Sequence, residues 1–84
     1  VALVKPQFEA GKGRTDHGVV RDPSTHREVL EQVVADAAQR GLGTRAVIAS
    51  PILGPAGNRE FLLHLGPGPM CAEIDERIAE VTGT

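Results

Sequence analysis

The chain has 84 residues, of which 40% are hydrophobic and 24% charged, and a net charge of −2. This composition is typical of one small globular domain and excludes a disordered chain. No apolar run approaches the ~20 residues that span a bilayer. The single cysteine, Cys71, excludes an internal disulfide and a cysteine-based zinc cluster, and it favours a reduced, cytoplasmic setting. Because the chain is not a polycation, nucleic-acid binding would require a local basic patch.

The first half of the chain predicts a strand and a helix. Residues 1–5 form a continuous apolar run that ends in Lys5, and Pro6 cannot extend a strand ladder. A helix is predicted over 23–40, because Asp22 and Pro23 supply an N-cap and a first helical residue. The strand at the very start of the chain, without a preceding methionine, indicates a part of a longer protein.

The second half predicts two strands and a second helix. The strands cover 45–50 and 60–65, and the helix covers 70–81 after a Gly-Pro-Gly-Pro break. The resulting β-α-β-β-α order predicts a right-handed parallel β-α-β unit followed by an antiparallel strand.

This topology would bring two charged residues to one edge of the sheet. Lys5 ends the first strand and Glu60 begins the third, so both would reach the edge where the parallel strands end. Open α/β sheets bind ligands at that edge. From the pattern alone, the two residues could form a proton-transfer site or could be solvated charges at strand ends.

Other polar residues near this edge carry weaker signals. Lys12, Arg14 and Arg21 lie in a glycine-containing loop, where phosphate contact and a solvated loop are both open interpretations. Asn58 precedes the third strand and fits either an RNA contact or the geometry of a turn. The histidines share no metal-ligand spacing with acidic residues, so no metal site is predicted.

Three stretches of the chain resemble a known family. They read Leu3-Val4-Lys5-Pro6-Gln7-Phe8-Glu9 with Gly11-Lys12-Gly13, then Gly18-Val19-Val20-Arg21-Asp22-Pro23, then Ala49-Ser50-Pro51-Ile52-Leu53-Gly54-Pro55-Ala56-Gly57-Asn58-Arg59-Glu60-Phe61. Their order and spacing are similar to the C-terminal part of the hemolysin-A (TlyA) proteins. These are rRNA ribose 2′-O-methyltransferases with an FtsJ-like catalytic domain.

The resemblance implies an α/β fold: the C-terminal portion, residues 1–84, of a class I S-adenosylmethionine-dependent methyltransferase with a Rossmann-like sheet. Strand 60–65 would lie antiparallel between strands 1–5 and 45–50, as the seventh strand between the fifth and sixth. The resemblance also implies that S-adenosylmethionine is the cofactor of the complete protein. The glycine-rich turn that holds this cofactor, and an N-terminal RNA-binding domain of the S4 type, have no match in this chain.

The resemblance further assigns roles to Lys5 and Glu60. FtsJ-like enzymes use a Lys-Asp-Lys-Glu set, of which the second lysine matches Lys5 and the glutamate matches Glu60. As the free amine, Lys5 would take the proton of a ribose hydroxyl during methyl transfer, and Glu60 would hold it in line. We therefore expect the two side chains to approach within ion-pair or one-water distance.

The expected partner of the complete protein is ribosomal RNA or a ribosomal subunit, and no membrane. The chain alone is expected to be inactive and to self-associate through an exposed sheet edge. The alternatives are a non-catalytic α/β interaction or RNA-binding module, and a protein that is a hemolysin in name only.

Overall fold

The computed structural model describes residues 1–9, 20, 22–54 and 57–84. Along the chain, the secondary structure elements are β1 (Ala2–Val4), α1 (Pro6–Glu9), α2 (Pro23–Gln39), β2 (Leu42–Ala49), β3 (Phe61–Pro67) and α3 (Ile74–Thr82). None of the helices in this described part is long and apolar enough to cross a membrane.

The three strands form one sheet in the order β1-β3-β2. β3 pairs antiparallel with both neighbours, so β1 and β2 run parallel to each other. The middle position of the last strand and its antiparallel direction are those expected from the sequence. Consequently, the end of β1, the end of β2 and the start of β3 lie at one end of the sheet.

Several element boundaries differ from those predicted. Strand 1–5 is shorter, at Ala2–Val4, and the unpredicted helix α1 follows it at once. Proline fits the first turn of a helix because its φ is fixed there and its missing N–H needs no partner. Pro6 therefore ends the strand and also begins a helix.

The strands and helices of the second half are also shifted. Strand 45–50 begins earlier, at Leu42, because Gly41 adopts a φ of 81° and reverses the chain directly after α2. Strand 60–65 is observed at Phe61–Pro67. Helix 70–81 begins later, at Ile74, since the N–H of Cys71 donates to the carbonyl of Thr44 at 2.8 Å and holds that segment against β2.

Helix α2 begins where its sequence signals predicted and ends within one residue of the predicted boundary. The Asp22 carboxylate accepts a hydrogen bond from the N–H of Ser24 at 3.1 Å, and Pro23 follows as the first helical residue. A cap of this kind satisfies a backbone donor that the helix itself leaves free. The cap therefore fixes the start of the longest helix.

The hydrophobic core lies between one face of the sheet and helices α2 and α3. Its buried members are Val4, Val29, Leu30, Val34, Val47, Phe61, Leu63, Ile74 and Ile78. The alternate strand positions point to the other face, where Leu3 and Ile48 are 50% and 53% exposed. In the described part of the chain, helices thus cover one face of the sheet and leave the other open.

At the end of the sheet where β2 begins, the strands are distorted and tightly packed. The register of β2 against β3 shifts between Thr44 and Ala46, which makes Arg45 an extra residue. The Arg45 guanidinium donates to the carbonyl of Pro67, and Gly43 lies opposite Gly66. We call this the bulge end, defined by Gly43, Thr44, Arg45, Gly66 and Pro67.

Candidate functional site

Lys5 and Glu60 lie at the same end of the sheet. The last register pair of β1 and β3 is Val4 with Phe61, so Lys5 follows and Glu60 precedes a directly paired position. On the other side, the N–H of Ser50 donates to the carbonyl of Glu60 at 2.8 Å. This agrees with the expectation that the two charged residues reach one edge.

The Glu60 side chain is buried and held in place. It is only 7% exposed, and its Oε2 accepts a hydrogen bond from Nε2 of Gln7 at 3.0 Å. Gly54 lies so close that a Cβ at that position would overlap Oε2. A buried carboxylate needs polar partners, and among the described residues the side-chain partner observed is the neutral amide of Gln7.

The Lys5 side chain does not form the expected ion pair with Glu60. Its Nζ lies 5.7 Å from the centroid of the Phe8 ring, and no ion pair joins it to any residue that the structure describes. Phe8 is 73% exposed, so this cation–π contact is near the surface. Each side chain thus has another partner in place of a direct ion pair, and the approach of the two within one-water distance stays a prediction.

Helix α1 places Gln7 beside Glu60. Pro6 is fully buried, and the N–H of Phe8 donates to the carbonyl of Lys5 at 2.9 Å, so the segment turns sharply after β1. The turn points the Gln7 amide at the carboxylate. Its other polar atom, Oε1, is buried and has no hydrogen-bond partner among the residues that the structure describes. We call this region the site end, defined by Lys5, Gln7, Ser50, Gly54 and Glu60.

The loop that leads into β3 closes on itself through its backbone. The N–H of Gly54 donates to the carbonyl of Asn58 at 2.8 Å, and the N–H of Gly57 donates to the carbonyl of Gly54 at 3.1 Å. Gly57 has a φ of 83°, a conformation that glycine adopts without strain. This closure brings the backbone of Gly54 against the Glu60 carboxylate.

Asn58 is buried and hydrogen-bonded within the protein, so its side chain is not exposed for contact with RNA. Its side chain is 1% exposed, and its Oδ1 accepts a hydrogen bond from the N–H of Val20 at 2.9 Å. The carbonyl of Val20 accepts one from Nε2 of His26 at 2.9 Å, and the His26 ring packs edge-on against Phe61. We therefore assign Asn58 to holding the chain at Val20. The other candidate RNA contacts, Lys12, Arg14 and Arg21, lie outside the described residues.

Besides Ser50, two residues of the site end were not singled out from the sequence. Gln7 and Gly54 both belong to the strings that carry the family resemblance, but neither type signals acid–base chemistry by itself. A glutamine is usually a solvated polar residue, and a glycine between prolines usually indicates a turn. Their position relative to Glu60 becomes visible only in three dimensions.

The described residues offer no ready site for a metal or for the family's cofactor. No group of three or more His, Cys, Asp or Glu side chains in the described part could hold a metal ion. A strand-to-helix turn that cradles a dinucleotide-like cofactor is rich in glycine, whereas β1 leads into α1 through Lys5 and Pro6. That the main binding segment for S-adenosylmethionine lies outside this chain stays a prediction.

The site end combines groups suited to proton transfer. A buried, hydrogen-bonded carboxylate lies at one strand end, and a lysine without an ion pair lies at the adjoining one. Positioned amines and carboxylates are typical general bases and their orienting partners. The bulge end has no comparable pair. Its polar side chains are Thr44 and Arg45, and an arginine stays protonated and does not serve as a general base.

The chain matches known proteins over most of its length. The FtsJ-like methyltransferase family matches residues 1–67. The chain is 45% identical over 80 residues to the Bacillus subtilis (strain 168) protein "Putative rRNA methyltransferase YqxC". It is 46% identical over 66 residues to the 16S/23S rRNA (cytidine-2′-O)-methyltransferase TlyA of Mycobacterium tuberculosis (strain ATCC 25618 / H37Rv). A crystal structure of "a putative hemolysin from Lactococcus lactis" matches with a TM-score of 0.85 and 39% identity.

These matches cover most of this chain but a minor part of its relatives. The alignments span 90% of the chain and 28% of YqxC, and 77% of the chain and 25% of TlyA. The Lactococcus lactis structure is matched over 98% of the chain and 40% of its own length. The family match covers Lys5 and Glu60 and all three strands of the sheet. The chain belongs to the FtsJ-like methyltransferase family, within the group of TlyA and hemolysin proteins.

Proposed function

We propose that this chain is the C-terminal part of the catalytic domain of a longer rRNA ribose 2′-O-methyltransferase, which we call the parent protein. Its three strands would be the fifth, sixth and seventh of a class I Rossmann-like sheet, and the parent protein would work in the cytoplasm. The observation that supports this most is the adjoining register position of Lys5 and Glu60 in a chain of a methyltransferase family. The relatives named as rRNA methyltransferases supply the substrate class.

In the proposed reaction, Lys5 acts as the general base. A ribose hydroxyl is a poor nucleophile, so its proton must leave as its oxygen bonds to the methyl carbon. The free amine of Lys5 takes this proton, and Glu60 orients the amine. S-adenosylmethionine supplies the methyl group in this family's chemistry, and we place its binding in the part of the parent protein beyond this chain.

Lys5 must leave the Phe8 ring to reach the site. A cation–π contact at an exposed ring contributes about 0.5–1 kcal/mol, and Phe8 is largely exposed. The cost of releasing Lys5 is therefore small compared with the free energy available from binding RNA. The observed position of Lys5 would be a resting state that substrate binding replaces.

We also propose that Lys12, Arg14 and Arg21 contact phosphates of the RNA. Their positive charges lie in the sequence between α1 and α2, both of which adjoin the site end. Phosphate contacts make affinity fall as salt rises. Replacing all three residues by glutamine in the parent protein should weaken RNA binding and flatten its dependence on salt concentration.

The proposed function is tested by transfer of tritiated methyl groups to rRNA by the parent protein. We expect activity from the wild type and a loss of about 10²–10⁴-fold for Lys5→Ala, as for the removal of a general base. Glu60→Gln should lose less, because the amide keeps a hydrogen-bonding partner. Cofactor affinity measured by calorimetry should be unchanged in both variants.

Three results would contradict this function. A wild-type parent protein that binds rRNA without methylating it would be an α/β RNA-binding module. A wild-type protein that lyses membranes and methylates no RNA would support the hemolysin name instead. Binding of S-adenosylmethionine without transfer to any rRNA would equally exclude the proposed substrate.

A further inference from the structure

At the site end, a hydrogen-bond acceptor and a hydrogen-bond donor that lie two residues apart in sequence have no hydrogen-bond partner among the described residues. Oε1 of Gln7 is a buried acceptor without a partner, and Nζ of Lys5 has a ring contact but no acceptor among the described residues. A buried polar atom without a partner destabilises the state in which it occurs. An unpaired acceptor two residues from a lysine without an acceptor suggests a contact that forms in another state of the site.

The orientation of the Gln7 amide is fixed by chemistry. The Glu60 carboxylate only accepts hydrogen bonds when ionised, so the nitrogen of the amide must face it at 3.0 Å. The oxygen consequently points away from Glu60. Gln7 can thus hold the carboxylate with one atom and receive a donor with the other.

We propose that Gln7 is a positioning residue of the methyl-transfer site. Its Nε2 holds the Glu60 carboxylate, and its Oε1 accepts a hydrogen bond from the Lys5 amine once that side chain leaves Phe8. Lys5, Gln7 and Glu60 then form one hydrogen-bonded set. This role rests on the proposed function, because it concerns the same acid–base pair.

A neutral amide suits this position better than a charged group. A second carboxylate beside Glu60 would repel it, and it would also favour the protonated form of a nearby lysine. An amide orients both side chains without adding a charge.

The test replaces Gln7 by methionine in the parent protein. Methionine has a similar length and fills the space, but it neither donates nor accepts the two hydrogen bonds. We expect kcat to fall about tenfold to a hundredfold, as for a misplaced reacting group, with KM for S-adenosylmethionine unchanged. Gln7→Glu should also lose kcat, because the added carboxylate faces Glu60.

A double-mutant cycle separates positioning from a merely structural role. If Gln7 acts through Glu60, then Gln7→Met should cause little further loss in a Glu60→Ala background, because that background has already lost the acceptor of the Gln7 amide. The matched control is Gln32→Met, since Gln32 donates to Asp36 at 2.9 Å on the exposed face of α2. That variant loses the same kind of hydrogen bond and should keep full activity.

The outcomes distinguish this inference from the function on which it rests. A wild-type parent protein without methylation activity would overturn the proposed function. An active wild type whose kcat is unaffected by Gln7→Met would overturn only the role of Gln7. Losses that multiply fully in the double mutant would also overturn it, because they would show that Gln7 and Glu60 act independently.

Discussion

The two ends of the sheet contain the same two kinds of feature, a buried unpaired oxygen and a tightly packed glycine, in different surroundings. Within the described part of the chain, each end holds a buried side-chain oxygen without a hydrogen-bond partner, Oε1 of Gln7 at the site end and Oγ1 of Thr44 at the bulge end. Each also has a glycine whose added Cβ would overlap a neighbouring atom, Gly54 and Gly43 respectively. The surroundings of these features differ, and the difference identifies the functional end.

At the bulge end, the close neighbours are backbone atoms. A Cβ on Gly43 would overlap the backbone of Pro69 and Met70, and the carbonyl of Thr44 accepts from the N–H of Cys71. At the site end, Gly54 instead meets the side chain of Glu60. A tight contact with backbone supports the fold, whereas a tight contact with a buried carboxylate sets the position of a reactive group.

The largest expected effect is on stability at the bulge end. Gly43→Ala should lower the free energy of unfolding by about 3 kcal/mol or more, because rigid backbone cannot move away from the new methyl group. Gly66→Ala is the matched control, since its Cβ would lie 3.5 Å from Arg45 in ordinary contact. Urea unfolding of both variants checks this, and equal stability of the two would contradict the packing described.

The corresponding change at the site end should affect activity more than stability. In Gly54→Ala, the carboxylate of Glu60 is the flexible end of a side chain and can shift, so the free energy of unfolding should change by less than about 1 kcal/mol. Methyl transfer by the parent protein should still fall about tenfold or more, because Glu60 is displaced. Normal turnover and a normal melting temperature in Gly54→Ala would contradict the proposed functional difference between the two ends.

Removing the unpaired side-chain oxygen at the bulge end should have a smaller effect on stability than Gly43→Ala, and of the opposite sign. Thr44→Val removes a buried hydroxyl without a partner and keeps the shape of the side chain, so it should stabilise the chain by about 1 kcal/mol or less. Methylation by the parent protein should be unaffected. Denaturant unfolding and the methyl-transfer assay measure both quantities. A loss of activity in Thr44→Val would mean that the bulge end also takes part in function.

The smallest expected effect is weak association of the 84-residue chain. β1 pairs with β3 on one side, and no described strand pairs with its other side. Such an edge can recruit a second copy. Sedimentation should show a concentration-dependent rise in mass that Leu3→Lys reduces. A monomer at every concentration, with β1 amides protected from exchange, would argue against this.

Sequence reasoning succeeded where physical signals act locally or through topology. Asp22 and Pro23 mark the start of α2 because capping involves only neighbouring residues. The placement of Lys5 and Glu60 at one end followed from strand directions and was independent of side-chain detail. The strand order came from the family resemblance and agrees with the sheet observed.

The failures concern contacts between distant segments. Helix 70–81 was predicted too early because its first turn is replaced by the hydrogen bond from Cys71 to Thr44. The sequence also carried no sign that Gln7 contacts the Glu60 carboxylate or that Phe8 contacts the Lys5 amine, so it could not exclude a direct ion pair, which the structure does not form. A four-residue helix such as α1 is too short to produce a helical periodicity.

The central claim is that Lys5 takes the proton of a ribose hydroxyl. The most direct test is Lys5→Arg in the parent protein, because a guanidinium keeps the positive charge but remains protonated and cannot act as a base. Tritium transfer to rRNA should be lost, while cofactor and RNA binding remain close to wild type. Near-normal turnover by Lys5→Arg would contradict the account and leave Lys5 as a strand-end charge over the Phe8 ring.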